Sequence, residues 1–468
     1  MKKLLALLLA LVMLSITIVG CSAPAPGPVS ADPAQAGAAP AEPVEEEAAA
    51  PVGKKHLTMW FFGPAADYQV HMKKVLEDGY NASQNECVLT VEFRNTVDKD
   101  IPVALAADSG PDIVYSSGPA FVSVYAQEGK VLNLSDYSAK YGWQDRIQEA
   151  MYNACTIDGD LYSIPTSMLF DGFYYSKSLF AEKGWEIPTT IEELEALFDA
   201  AIADGLYAAA VGNKGWRPNN DTITSIMVNH FISPSVLYDC LTGAKKFNNP
   251  ELIGAIAKTQ EWYQKGYLAG SDYTNLNSQE TLQLVADKRA ALAFNMTNYF
   301  QFAAQSFTGD LASDLGFAPL PAAYTDKEVH QLAVSSTLAI NAATQYPDAC
   351  AALIDYILTD EFYTAMTAGW PGLWAGALKE NDEDTSEITG VSKTFIDAAA
   401  SSAPAIAAGQ FGFHASSFFP PQTLEKWRDI DMVWQGLMTP EEFCASLDAV
   451  AEQEIADGLV CPLAKPAL

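Results

Sequence analysis

The chain has 468 residues, with 58 acidic side chains against 27 basic ones, a formal net charge of -31 at pH 7, and 49% hydrophobic residues. Such an excess of carboxylates leaves no basic surface to displace the counterions condensed on a polyanion, which excludes nucleic acid as a ligand. The length is sufficient for two lobes with substantial cores.

Lys2 and Lys3 precede an apolar run over residues 4–19 that is too short and too near the terminus for a stable membrane span. Residues 1–20 therefore read as an export signal. Its end, Ile18-Val19-Gly20-Cys21, resembles the lipobox of bacterial lipoproteins, which implies lipidation of Cys21 and cleavage before it. Acyl chains contribute about 0.8 kcal/mol per buried methylene, so Cys21 is expected to hold the protein at the extracellular face of the cell membrane without a spanning helix. Residues 21–54 are rich in Ala, Pro and Gly, with Glu45, Glu46 and Glu47 near the end. That composition buries too little apolar surface to offset chain entropy and reads as an extended tether. The remaining cysteines, Cys87, Cys155, Cys240, Cys350, Cys444 and Cys461, are scattered singly, and isolated buried thiols are expected rather than a disulfide framework.

The first strand is expected over residues 57–62 (LTMWFF), closed by Gly63-Pro64, and a helix over 66–81. A second strand follows over 88–93, a helix near 101–107, and a third strand over 112–115 that ends in Ser116-Ser117-Gly118. Alternating strand and helix implies a parallel α/β sheet. Ligands of such sheets sit beyond the carboxyl ends of the strands, so Trp60, Phe61, Phe62, Ser116 and Ser117 are expected to converge on one edge.

From here the chain resembles a known family. The strand PDIVYSSG at 111–118, EGKVLNL at 128–134, DGDLYSIP at 158–165 and FYYSKSLFAEKG at 173–184, followed by Pro188-Thr189 and Glu192-Glu193-Leu194, are similar to the signature of carbohydrate-type extracellular solute-binding proteins (family 1) of bacterial ABC importers. Further on, ALAFNMTNYF at 291–300, GFAPLPA at 316–322 and the segment from Val334 to Gly372 resemble the family's later strands and return helix. Ser176 replaces the usual Asn, Ile191 the usual Trp, and Asn298 and Tyr299 stand where Gly and Trp are usual. The resemblance implies a periplasmic-binding-protein-like (type II) α/β clamp, two α/β lobes around a ligand cleft with hinge crossovers. Lobe one is expected over 55–167 with 330–368, lobe two over 168–329 with 369–468, and the first hinge at Thr166, Ser167 and Met168. The dense stretch 158–188 then packs a hinge, a cleft wall and a new core into thirty residues, as a two-lobed clamp requires.

A sugar presents C–H ring faces, which flat aromatic rings cover, and an equator of hydroxyls, which planar polar groups satisfy. The candidates at loop tips are Trp60, Phe61 and Phe62, of which one or two should be core by alternation. Ser116 and Ser117 either donate to a ligand hydroxyl or shape a turn. Phe170 and Asp171 suit a hydroxyl pair, or Asp171 beside Gly172 shapes a bulge. Trp216 and Arg217, in the loop GNKGWRPNND, are the strongest pair. Asn298 and Tyr299 match a loop that often brings a ring into the cleft, and Trp370 and Trp374 are expected to divide between one ligand stack and one packing role. The aromatic segment 411–420 reads as interdomain packing, and Tyr162 as structural.

The motifs of serine hydrolases, zinc proteases, P-loops and dinucleotide folds are missing, and His56, His71, His230, His330 and His414 show no metal-like spacing. The expectation is a binding protein without enzyme activity, cofactor or metal, acting as a monomer with a carbohydrate ligand and ABC permease subunits as partners. The alternatives are a peptide or polyamine cargo, a secreted glycosidase with a carboxylate pair, and a sensory lipoprotein without a cognate permease.

Overall fold

The computed structural model describes residues 53–374, 377–379 and 383–468. The expected export signal, Cys21 and nearly all of the tether lie outside them. The described strands are, in chain order, β1 (Lys55–Phe62), β2 (Cys87–Arg94), β3 (Ile113–Ser116), β4 (Thr156–Ile157), β5 (Asp160–Leu161), β6 (Ile164–Pro165), β7 (Met168–Ser176), β8 (Tyr207–Ala209), β9 (Ala290–Met296), β10 (Leu315–Ala318), β11 (His330–Val334), β12 (Thr337–Ile340) and β13 (Phe411–Phe413).

Along β1 burial alternates. Leu57, Met59 and Phe61 are fully inside, and Thr58, Trp60 and Phe62 are half-buried on the other face, as a side-chain period of two requires. β2 and β3 flank β1 in parallel, so the expected strand-helix-strand unit forms. Asp112, directly before β3, ties that strand to the central β1, since its Oδ2 accepts from both the amide and the hydroxyl of Thr58 at 2.9 Å. The returning strand β12 adds antiparallel to β3, and β6 adds antiparallel to β12, giving the order β2-β1-β3-β12-β6. The helix expected over 66–81 is present, but its middle third, Lys73–Asp78, widens to a π-helix. The next helix, Val97–Ala106, begins four residues earlier than expected.

The second sheet is built around β7, which is buried along nearly its whole length and is aromatic and aliphatic for that reason except at Asp171, Gly172 and Ser176. The order is β13-β11-β7-β9-β8, with β10 also paired to β7. β7 is long enough to hold two partners on one side, β11 against Met168–Phe170 and β10 against Phe173–Ser176. Gly172 lies at the junction. A Cβ there would stand 2.3 Å from the Phe317 ring and 2.8 Å from the Ala318 carbonyl oxygen. Gly172→Ala is therefore expected to destabilise by about 1–3 kcal/mol in urea unfolding, because the strand pairing and a packed ring must both shift. An unchanged midpoint would show that β10 yields freely.

β4 and β5 form a two-residue hairpin whose turn, Asp158-Gly159, has φ of 52° and 89°. Both positive values suit the primed turn that an Asp-Gly pair favours.

β6 belongs to the first sheet and β7 to the second, so the first crossing spans Thr166 and Ser167. The return crossing requires a correction. The expected division gave residues 330–368 to lobe one, but β11 pairs with β7 and β13, so the chain leaves the second sheet only after Val334. The two crossings are bonded to each other: the Thr166 amide donates to the Ser336 carbonyl at 2.9 Å, and the two buried hydroxyls lie 2.6 Å apart. A second correction concerns residue 369 onward. Trp370 and Trp374 pack on lobe-one rings, and Leu378 bridges to Ile147, so lobe one extends to at least Lys379. The next helix, Gly390–Ala407, covers β10 and the helix Phe300–Ser306 of the second lobe.

Candidate functional site

The carboxyl ends of β1, β2 and β3 bring Phe62, Arg94 and Ser116 to one edge of the first lobe. Opposite them stand the chain after β9 and the segment 414–431, the latter paired with the loop after β8 through Arg217. The lobes meet along two lines. On one, the Tyr68 hydroxyl donates to the Gln301 carbonyl oxygen at 2.5 Å, and Trp370 Nε1 donates to Gln301 Oε1 at 3.2 Å. On the other, Gly118 approaches the Ser416 carbonyl so closely that a Cβ would lie 2.9 Å away. The short helix Ala415–Phe418 rests against the helix Pro119–Gln127, in line with the packing role expected for the aromatic segment 411–420.

Beside the second line, charge faces charge across the gap. The Asp98 carboxylate accepts from the Ser117 hydroxyl at 2.9 Å and feels the Arg428 charge from the other lobe. Asp98 is exposed by area, yet desolvation by surrounding protein drives its pKa up, against the Ser117 bond and Arg428. Arg428 is held from within its own lobe by Asp221, Nε to Oδ2 at 2.8 Å, and by Glu425. Arg217 pairs with Asp429 at 2.8 Å and Asp431 at 3.2 Å.

The loop carrying Trp216 is rigidly set. Asn219 donates to the Gly212 carbonyl at 2.6 Å, Asn213 donates to Asn220 Oδ1 at 2.8 Å, and the Tyr273 hydroxyl donates to the same oxygen at 2.9 Å. Each amide is paired, Asn219 and Asn220 buried and Asn213 half-buried, which leaves the loop little freedom. On it the Trp216 ring is 49% exposed. A large exposed ring on a fixed loop is available to a ligand.

The other expected site residues divide. Trp60 is half-buried with the Arg94 guanidinium 3.4 Å over its ring, and Phe62 is half-buried against Tyr115 and Trp370. Ser117 is accessible. Asn298 is half-buried, and its side-chain oxygen is out of solvent with no protein partner among the described residues. Phe61 is core, stacked on Trp374 at 5.7 Å, because the alternation of β1 turns it inward. The Ser116 hydroxyl donates to the Gly118 carbonyl at 2.8 Å and serves the turn. Phe170 is buried against His330 and Phe317. Tyr299 is buried, with its hydroxyl 2.8 Å from that of Ser278. The expected division of Trp370 and Trp374 fails, because both are fully buried. Tyr68 covers one face of Trp370 at 5.0 Å, and Phe362 meets Trp374 edge-on.

Asp171 is a further correction. It is fully buried, accepting from the Gln331 amide at 2.6 Å and meeting His230 Nε2 at 2.7 Å, while its carbonyl oxygen lies 3.0 Å from His330 Nδ1. His330 Nε2 meets Glu328 at 2.7 Å. Burial raises the Asp171 carboxyl, but the His230 charge and the hydrogen bonds from His230 and His330 outweigh it and hold the group well below the usual carboxylate range. Burial lowers the His330 imidazole, and its bonds to Asp171 and Glu328 bring it up to about 9. The cluster braces β7 against β11, the strands that continue into the two crossings.

Sequence reasoning missed Tyr68, Asp98, Gln301 and Arg428. Asp98 had a signal: it follows the carboxyl end of β2 in the first turn of a helix. Tyr68 and Gln301 sit in helices whose registers the sequence leaves open, and Arg428 is 330 positions from Asp98.

The family model described as bacterial extracellular solute-binding protein matches residues 65–363. The alpha-glucosides-binding periplasmic protein AglE of Rhizobium meliloti (strain 1021) is 25% identical over 201 residues, 40% of this chain and 42% of that protein. The chain thus matches less than half of that relative's length. A solved structure from work on xylan utilization by the thermophilic bacterium Caldanaerobius polysaccharolyticus superposes with a TM-score of 0.73 at 19% identity, over 84% of this chain and 99% of that one. A chitin oligosaccharide binding protein gives a TM-score of 0.72 at 18% identity, over 86% and 99%. At these identities the superpositions speak for the two-lobed fold.

Proposed function

The chain belongs to the bacterial extracellular solute-binding protein family, and from that premise we propose that it captures a neutral mono- or oligosaccharide between its lobes and hands it to the permease of an ABC importer. The observation that carries the cargo is Trp216, an exposed ring on an amide-braced loop beside the Arg217, Asp429 and Asp431 group. The ring suits a C–H face, and the planar charged groups suit hydroxyls. The relatives named as binding alpha-glucosides and chitin oligosaccharides support the same class.

The mechanism has no covalent step. The ligand binds one lobe, the lobes rotate about the paired crossings at Thr166 and Ser336, and the closed form docks on the permease. The permease must favour the closed form for delivery to be directional. The protein acts as a monomer, tethered at the extracellular face through a lipidated Cys21, and the bound sugar leaves unaltered.

A cationic cargo such as a polyamine has one observation in its favour: Asp98, Asp221, Glu425, Asp429 and Asp431 give five carboxylates against the two guanidiniums of Arg217 and Arg428. Calorimetric titration of the chain from Gly53 onward against neutral oligosaccharides, with peptides and polyamines alongside, decides between them. Saturable binding of one sugar class is expected. Binding of a polyamine alone would keep the clamp and replace the cargo, and hydrolysis of a bound sugar would overturn the non-enzymatic reading.

A further inference from the structure

On the flank of the crossings, the tail after the last helix, Pro440–Ala456, runs beside the β4–β5 hairpin of the first lobe. Gly458 sits against Asp158, whose Oδ1 would lie 3.3 Å from a Cβ at that glycine. Three residues on along the tail is Cys461, and three residues back along the hairpin strand is Cys155. Residues 154–157 and residues 458–461 of the tail line the same cavity. Both cysteines line one cavity between the lobes, together with Ser163 and Ser417. Cys155 also lies within the electrostatic reach of Cys461, which pushes its thiol up in addition to burial. The two are thiols in the structure, Cys155 buried and Cys461 half-buried, whereas Cys87, Cys240, Cys350 and Cys444 are buried elsewhere.

We infer that Cys155 and Cys461 are the partners of a disulfide that fastens the C-terminal tail of the second lobe to the hairpin of the first. The bond forms by thiol–disulfide exchange. The Cys461 thiolate, the more accessible of the two, attacks a small-molecule disulfide, releases one thiolate and becomes a mixed disulfide. Cys155 then attacks the Cys461 sulfur and expels the second small thiol. Two protein thiols are oxidised by two electrons, one disulfide is reduced to two thiols, and the protein's two protons end on the released thiols. Burial pushes both thiols up to about 12, so exchange is slow at neutral pH and accelerates as pH rises. The bond persists only in an oxidising compartment and to that extent rests on the export reading. The placement of the two thiols on one cavity does not.

The test incubates the purified full chain with oxidised glutathione at pH 8, then unfolds it in a maleimide, digests it and analyses the peptides by mass spectrometry. The expected product is a single linked pair containing Cys155 and Cys461, about 2 Da lighter than the two thiol peptides, with the other four described cysteines alkylated. The thermal midpoint should fall by several degrees on reduction in the parent and not in Cys461→Ser. Maleimide on both Cys155 and Cys461 after oxidation, or glutathione retained on Cys461 without transfer, would overturn the inference. Titration with sugars on the same preparation separates the two readings: a formed link without sugar binding removes the cargo and leaves the disulfide standing.

Discussion

Asp171→Ala is expected to lower the unfolding free energy by about 3–5 kcal/mol, the range for removing one member of a fully buried ion pair. The carboxylate answers the Gln331 amide and His230, and it stands with Glu328 as counter-charge to His330. Its removal leaves a buried donor unpaired and a buried cation half-compensated. The cluster also predicts a pH profile. His330, with a folded value raised to about 9, contributes fully below its unfolded value of about 6.5, and that contribution is lost as pH rises through 9. Asp171, whose folded value is depressed, contributes fully above about 4 and loses that contribution as pH falls through its folded value. Stability from the cluster is therefore greatest between about pH 4 and 6.5 and declines toward pH 9. Urea unfolding at pH 5, 7 and 9 measures both effects. A loss below about 1 kcal/mol in Asp171→Ala, or a flat profile in the parent, would show that the cluster is not a charged brace.

Trp216→Ala is expected to weaken the binding of the cognate sugar by about 2 kcal/mol, roughly thirtyfold, while leaving the unfolding midpoint within experimental error. The two readouts separate because the ring is half exposed and its loop is held by Asn213, Asn219, Asn220 and Tyr273 rather than by the indole. A phenylalanine at 216 should recover part of the affinity, since a flat face remains. Undiminished binding in the alanine variant would move the cargo site away from this loop, toward Phe62, Ser117 and Asn298. A fall in midpoint of several degrees would instead make Trp216 a packing residue.

The sequence by itself determined a good deal of this protein. Acidity excluded polyanions, a short apolar run closed by Gly63-Pro64 set out β1 and period-two alternation set out β2, and one or two of the rings Trp60, Phe61 and Phe62 had to turn inward. The family resemblance carried by residues 158–188 placed the first crossing at Thr166, Ser167 and Met168, and the structure has it at Thr166 and Ser167. The strands themselves are local properties, decided by the conformational preferences of neighbours in the chain. The Trp216 loop was readable for a similar reason, since a large ring amid Gly, Asn and Pro has no regular element in which to bury itself.

What only the tertiary structure decided depends on which surfaces meet. Asp171 beside Gly172 offered the same letters whether it faced a ligand or two histidines contributed by residues 230 and 330. Trp370 and Trp374 became core because Phe61, Tyr68 and Phe362, distant in sequence, close around them. The return crossing moved past Val334 because β11 found partners in β7 and β13. Asp98 and Arg428, like Cys155 and Cys461, are hundreds of residues apart and come near each other only when two lobes fold and approach. Burial and pairing are properties of a surface and its opposite number, and a single chain read in order carries only one of the two.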